Sequence, residues 1–149
     1  MGFIVGENIH RISAERNKKD RMPVRMEIKV SPTLKSVVKK DANIGGEVKP
    51  GVTFEFEFKV DYEEFGEIIV EGGVFFTDTP DKLKKLEKGW IDESQIVDED
   101  VRLGIMNRIM EIGYLEAIAI AKQVKLPAPL QLPRFTKDKE KIKKPMQAG

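Results

Sequence analysis

Strict alternation of apolar and polar residues is clearest in one segment of the chain. Between residues 52 and 61, Phe54, Phe56, Phe58 and Val60 take every second position, and charged residues take the positions between them. A period of two is that of a strand with one buried face. Burial of the three phenylalanine side chains stabilises the fold by about 1.5–3 kcal/mol each, so this strand is expected to contribute strongly to the core.

Three further segments are predicted to be strands that accompany it. They cover residues 3–16, 24–30 and 67–77. The paired glycines Gly72 and Gly73 indicate either a bulge or a place where another backbone comes close. Pro32 permits an edge strand or a bulge, with pairing resumed after it. The segment 39–51 is predicted to be a loop because it contains two glycine turn signals.

The spacing of apolar residues becomes helical after the last strand. Thr79 is a predicted N-cap, and the helix that it begins is expected to end at Gly89. After a loop at 90–97, a longer helix over 98–124 is predicted, and its second half is apolar on nearly every side. Such a helix is buried all round, and one four-stranded sheet cannot surround it, so we expect a subunit interface.

The order of strands and then helices predicts an α+β fold, with a four-stranded antiparallel sheet followed by helices packed on one face. The 149 residues fit one domain, which we place at residues 1–135. Residues 136–149, with five lysines, are predicted to be a disordered basic tail.

Composition excludes several classes of function. The net charge of +1 gives no overall attraction to nucleic acid or acidic lipid. The absence of cysteine excludes disulfides, zinc–thiolate sites and thiol catalysis. No apolar run approaches the roughly 20 residues of a membrane span, and the N-terminus lacks a signal-peptide pattern, so a cytoplasmic location is expected.

No constellation of residues in the sequence supports catalysis. His10 is the only histidine and has no suitable partner nearby in sequence. The acidic groups at 63–64 and 98–100 lie at a turn and at a helix start, where acids are favoured for local reasons. Neither glycine pair stands in a phosphate-binding motif. We therefore expect a protein that is not an enzyme and that uses no cofactor or metal.

Several apolar side chains remain that a monomer would have difficulty hiding. They are Ile69, Phe75, Trp90, Ile91, Leu126, Leu130, Leu132 and Phe135. Exposed apolar groups of this extent indicate an oligomer interface or a binding groove, and the pattern leaves both open. Contact of the basic tail with RNA is a further alternative. Nucleic-acid binding is not favoured, because no aromatic residues interleave with the lysines.

The order and spacing of these parts resemble the SecB family of protein-export chaperones over residues 3–135. The strand 3–16, the strand from Met26 and the hairpin 52–77, with Gly-Gly-Val-Phe at 72–75, fall where SecB proteins place their four strands. The segment Pro-Leu-Gln-Leu-Pro at 129–133, followed by Phe135, resembles the one after the second SecB helix.

That resemblance implies an ATP-independent holdase, a chaperone that binds unfolded or partly folded polypeptides in apolar grooves of a dimer or a dimer of dimers. It implies groove walls from the second strand, the loop before the long helix and the segment after that helix. In this chain those positions are Met26, Ile28, Val30, Trp90, Ile91, Leu126, Leu130, Leu132 and Phe135. Long apolar walls suit varied clients because they offer contact area without demanding one shape.

Family members also carry an acidic sheet surface that contacts a translocase motor. Glu55, Glu57, Asp61 and Glu71 could supply acid here, but they do not match the family residue by residue. A general or dedicated chaperone is therefore favoured over an export-coupled one. The alternative to a chaperone is a structural or adaptor oligomer whose apolar surface is entirely subunit contact.

Overall fold

An antiparallel sheet of four strands carries two helices on one face. The computed structural model describes residues 2–17 and 27–129, together with two short strands beyond them. The elements are β1 Phe3–Arg16, β2 Lys29–Lys39, β3 Ala42–Ile44, β4 Glu47–Lys49, β5 Gly51–Asp61, β6 Gly66–Thr77, α1 Pro80–Glu93, α2 Glu99–Gln123, β7 Arg134–Phe135 and β8 Ile142–Lys143. The main sheet has the strand order β1-β6-β5-β2, so β1 and β2 are its edges. The predicted α+β fold class is confirmed.

The central strand β5 forms the floor of the core. Its alternate side chains, including Phe54, Phe56 and Phe58, are almost fully buried against the helices, as the period of two predicts. Gly113 of α2 lies directly on the ring of Phe58, where a Cβ atom would overlap the ring. Tyr114 packs edge to face on the same ring, with 5.3 Å between centroids. The sheet and α2 are therefore in close contact at the middle of β5.

The surroundings of Gly72 show why glycine occupies this position in β6. The β5–β6 register is continuous, and the irregularities lie in β1, between Ile4 and Gly6 and between Ile9 and Arg11. A Cβ atom on Gly72 would overlap the carbonyl oxygen of Asn8 in β1. The structure shows both features that the paired glycines suggested: another backbone comes close to Gly72, and the irregularity between Ile9 and Arg11 of β1 lies opposite Gly72 and Glu71.

The first helix is longer than predicted, because Gly89 does not end it. Trp90 and Ile91, expected in a loop, form part of the last turn of α1. The missing side chain of Gly89 makes room for Val97, which would lie 2.6 Å from an added Cβ atom. The left-handed residue that ends the helix is Ser94, at φ 55°, whose N–H donates to the carbonyl of Trp90.

The predicted loop at 39–51 contains the small hairpin β3–β4. Its two-residue turn is Gly45-Gly46, with φ of 60° and 87°. Two successive positive φ angles suit glycine and match the twist of the flanking strands, so the turn signal was also a hairpin signal.

Strand β2 begins at Lys29, near the end of the predicted segment 24–30, whose residues before 27 lie outside the described part. Pairing with β5 continues through Pro32 and is irregular only around Lys35, between Leu34 and Ser36. An edge strand tolerates proline because one row of its backbone groups has no ladder partner.

The predicted tail at 136–149 lies outside the described residues except for β8, which pairs with β7. The domain limits therefore stay a prediction. In the part of the chain that the structure describes, neither helix has the combination of length and apolar character that a membrane span requires.

Substitution of Gly72 by alanine tests the contact between β1 and β6. The added methyl group would force the two backbones apart, so the free energy of unfolding should fall by about 1–3 kcal/mol, as for other overpacked sites. Denaturant titration measures the change. Gly6→Ala in β1 is the matched control, because a Cβ atom there meets nothing within 4 Å. Equal stability of the two variants would contradict the proposed constraint.

Candidate functional site: an apolar groove beside the edge strand

A groove of about 430 Å³ opens between the edge strand β2, the end of α1 and the first half of α2. Its volume falls in the range of roughly 300–1,000 Å³ typical of ligand sites. The apolar part of its lining comes from Pro32, Leu34, Trp90, Ile96, Leu103 and Met106. The strand, both helices and the turn between them thus supply apolar side chains to one groove, and the rest of its lining is Thr33, Ser94, Gln95 and Arg102.

The turn between the two helices holds the groove in shape. Ile96 is buried and ties this turn to the core. Asp98 accepts a hydrogen bond from the N–H of Val101 at 3.1 Å and so caps the start of α2. Because Ser94 ends α1 and Asp98 begins α2, Trp90 and Leu103 are placed on the two sides of a short, fixed turn.

Trp90 is the predicted site residue that lines this groove. Val30 and Ile28 are half-buried and pack against the core beside it, on or just before β2. Ile91 is 78% exposed and does not contribute to the lining. Leu126 is only 5% exposed, because it is part of the core.

Met26, Leu130 and Leu132 lie outside the described residues, and for Phe135 the backbone alone is described.

Sequence reasoning missed the residues that complete the groove. Leu34 belongs to the stretch after Pro32 where strand pairing was expected to resume, and it lies on the same face as Pro32 and Val30, two and four positions after them. Leu103 and Met106 are separated by three residues and therefore share a helix face. Those spacings were readable, but the meeting of strand and helix that joins them depends on the tertiary fold.

The segment after α2 is fastened to the sheet. The hydroxyl of Tyr62 donates to the carbonyl oxygen of Pro127 at 2.6 Å, and the guanidinium of Arg16 donates to that of Lys125 at 2.8 Å. The N–H of Leu126 donates to the carbonyl of Ala121 at 2.9 Å. The first part of the proline-rich segment therefore closes one end of the core.

The opposite face of the sheet carries a cluster of paired charges. Glu57 and Glu71 lie opposite each other on β5 and β6, and Lys35 Nζ reaches them at 3.3 and 3.0 Å. Arg11 adds a contact of 3.6 Å to Glu71. The hydrogen bond from Lys35 holds the pKa of Glu71 below its usual value. Two of the four acids considered for a motor contact are therefore engaged by cations.

A second cleft of about 510 Å³ lies where both helices begin. Two of the carboxylates that line this cleft already accept hydrogen bonds from nearby backbone N–H groups. Asp78 accepts the N–H of Thr79 at 2.7 Å, and Asp98 caps α2. Among the described residues, no three histidine, cysteine, aspartate or glutamate side chains gather in a way that would hold a metal ion. The groove at Trp90 is therefore the stronger candidate.

Comparison with known proteins gives one structural likeness. No family model matches the sequence, and no curated protein matches it. A SecB-like chaperone of Mycobacterium tuberculosis, solved in complex with a ChAD peptide from the HigA1 antitoxin, is 13% identical, with a TM-score of 0.46 over 85% of this chain and 83% of that chain.

Replacement of Tyr62 by phenylalanine tests how the segment after α2 is held. Loss of the hydroxyl leaves the carbonyl of Pro127 without this donor, so the free energy of unfolding at neutral pH should fall by about 1–2 kcal/mol. Burial raises the pKa of Tyr62 to about 12. In the unfolded chain the hydroxyl of Tyr62 ionises near pH 10. The free energy of unfolding of the wild type should therefore fall as the pH rises from about 10 through 12, and it should fall less steeply in the variant.

Denaturant titrations at pH 7 and pH 11 measure both effects. Tyr114, whose pKa burial also raises to about 12, gives the comparison variant Tyr114→Phe for the alkaline effect. An unchanged unfolding midpoint of Tyr62→Phe at pH 7 would show that the bond to Pro127 does not hold the segment.

Proposed function

We propose that this protein is an ATP-independent holdase that binds non-native polypeptides in the groove at Trp90. The observation that carries the proposal is the open apolar groove built from β2, α1 and α2. Unfolded chains differ from folded ones chiefly in the apolar side chains that they expose, and burial of such area contributes about 25 cal/mol per Å². Binding of this kind draws its free energy from contact and needs no nucleotide.

The composition of the groove supports varied clients. Trp90 offers a large, rigid apolar surface, and Met106 has a flexible, polarizable side chain that adapts to irregular partners. Neither group requires a particular client side chain opposite it, so affinity depends on apolar area more than on sequence. Because Lys35 and Arg11 engage Glu57 and Glu71, we favour a general or dedicated chaperone over a partner of a translocase motor.

The flank of α2 next to β1 supports an oligomer, either a dimer or a dimer of dimers. Arg108 pairs with Glu7 of β1 at 3.4 Å, which orients this flank toward the β1 edge. Leu115 lies two turns further along the same flank and is 70% exposed. Ile12 on the helix-facing side of β1 is also exposed. A second copy that covered this flank would bury apolar area on α2, as its all-round apolar pattern predicts.

The same exposed flank is the observation that favours the second candidate, a structural or adaptor oligomer without clients. The RNA alternative depends on the basic tail, which lies outside the described residues except for β8. The cytoplasmic location stays a prediction.

Substitution of Trp90 by alanine tests the holdase proposal. Wild-type protein in severalfold excess should suppress aggregation of a denatured test protein without ATP. Truncation of a central apolar anchor costs about 2 kcal/mol in a typical interface, so client affinity of Trp90→Ala should fall by more than tenfold. Client affinity is measured by fluorescence anisotropy of a labelled unfolded protein, after circular dichroism confirms the fold.

Ile91→Ala is the matched control, because Ile91 is the next residue of the same helix and lies outside the groove lining. It should retain wild-type affinity. Equal loss in both variants would argue against the groove as the binding surface, and absence of any suppression by the wild-type protein would overturn the holdase proposal.

Substitution of Leu115 by glutamate separates the oligomer from the groove. A charge on the apolar flank should lower the mass measured by light scattering if that flank is a subunit interface, because an unpaired charge cannot be buried cheaply. Lys84→Glu, on the exposed surface of α1, is the control for charge and should leave the mass unchanged. A wild-type oligomer that binds neither an apolar dye nor unfolded protein would favour the structural alternative.

A further inference from the structure

All of the sulfur in this chain is methionine sulfur, since the sequence contains six methionines and no cysteine. Oxidants convert methionine from a flexible apolar side chain into a polar sulfoxide, and methionine sulfoxide reductases reverse the change. The structure describes two methionines, Met106 and Met110, which lie on successive turns of α2. A difference in reactivity between them would therefore come from their surroundings.

The surroundings of the two side chains differ sharply. Met110 is 4% exposed and belongs to the core. Met106 is half-buried, packs against the core and also lines the groove at Trp90. An oxidant that enters the groove from solvent meets Met106 in the folded protein, whereas it meets Met110 only when the core opens locally. Met106 should therefore be oxidised first.

A sulfoxide at Met106 would place a polar oxygen in an apolar wall. An apolar side chain packed on that oxygen would remove it from water, which opposes binding. The folded protein itself has a donor close by, because Arg102 lies four residues before Met106 on α2 and lines the same groove. The modification should therefore change the chemistry of the groove and leave the fold intact.

We propose that Met106 is a site of reversible sulfoxidation by hydroperoxides, and that the sulfoxide weakens the binding of apolar ligands in the groove. The thioether sulfur takes one oxygen from hydrogen peroxide. An S–O bond forms, the O–O bond breaks, the sulfur loses two electrons, and the second oxygen leaves with both protons as water. For the reverse reaction, the dithiol of a reductase supplies two electrons and two protons, becomes a disulfide, and the oxygen leaves as water.

This inference rests on the proposed holdase function and names a chemical control on the same groove. Its first test compares rates of oxidation in the folded protein exposed to graded hydrogen peroxide. Trypsin separates the two methionines, because Arg108 lies between them: Met106 falls in peptide 103–108 and Met110 in peptide 109–122. Mass spectrometry should show that peptide 103–108 gains one oxygen at least about tenfold faster. In denaturant the two rates should be equal, and equal rates in the folded protein would overturn the proposal.

The second test compares ligand affinity before and after peroxide in the wild type, in Met106→Leu and in Met110→Leu. Leucine is an apolar residue of similar volume that has no sulfur to oxidise. The ligands are the labelled denatured protein and an apolar dye, and the ratio of the two Kd values of each variant removes differences in basal affinity. Peroxide should raise Kd about tenfold in the wild type and in Met110→Leu, and should leave it unchanged in Met106→Leu. An equal rise in Met106→Leu would overturn the assignment.

The fluorescence of Trp90 gives a readout that needs no client. Trp90 is the only tryptophan of the chain, and it lines the groove together with Met106. Oxidation should shift its emission in the wild type and not in Met106→Leu. Peptide 89–102 contains Trp90 and no methionine, so its unchanged mass shows that the indole itself is intact. A shift of the same size in Met106→Leu would contradict the proposal.

Reduction completes the test. Methionine sulfoxide reductases of both stereochemical classes, with a dithiol, should remove the oxygen from peptide 103–108 and restore the affinity. A sulfoxide that resists both enzymes in the folded protein would overturn reversibility. Unoxidised wild-type protein that binds no denatured protein would overturn the holdase proposal. The rates of oxidation and the emission of Trp90 would still show whether Met106 is the oxidised site, so the two failures are distinguishable.

Discussion

The contact between Gly113 and the ring of Phe58 is the constraint on which the arrangement of the helices depends. A side chain at 113 would overlap that ring, so glycine alone lets α2 lie directly on the central strand. With α2 held over β5 and β6, α1 packs over β2 and β5, and the short turn between the helices must cross above the β2 edge. The groove at Trp90 is the space that remains between that turn and the strand, so its position follows from the packing of the core.

The irregularity at Lys35 has two consequences for the surface. It places a lysine between two glutamates that would otherwise face each other as like charges on neighbouring strands. It also divides the pairing of β2 with β5 into two regular stretches, and the one from Lys29 to Leu34 includes the part of the strand beside the groove. One local feature therefore brings a cation to Glu57 and Glu71 and interrupts the register of the edge strand.

The parts of the fold that depend on periodicity were predictable, and those that depend on a neighbour were not. The alternation of Phe54, Phe56 and Phe58 is a property of one segment, and it located the core strand and the α+β class. Gly89 looked like a helix end because glycine commonly follows the last helical turn. Its actual role is to admit Val97, a residue eight positions later. The groove depends on neighbours in the same way, since Leu34 and Met106 are far apart in sequence and meet only in the fold.

Leu126 and Trp90 show why an apolar surplus in a sequence does not by itself locate a binding surface. Both were counted among side chains that a monomer would have difficulty hiding. Leu126 is buried because Tyr62 and Arg16 draw the segment after α2 onto the end of the sheet. Trp90 is half-buried near the end of α1, where it lines the groove beside β2, an edge strand of the sheet that the described residues form. The two residues differ in what the tertiary fold places next to them. Leu126 lies in the core, and its N–H donates to the carbonyl of Ala121, whereas Trp90 lines the groove beside β2.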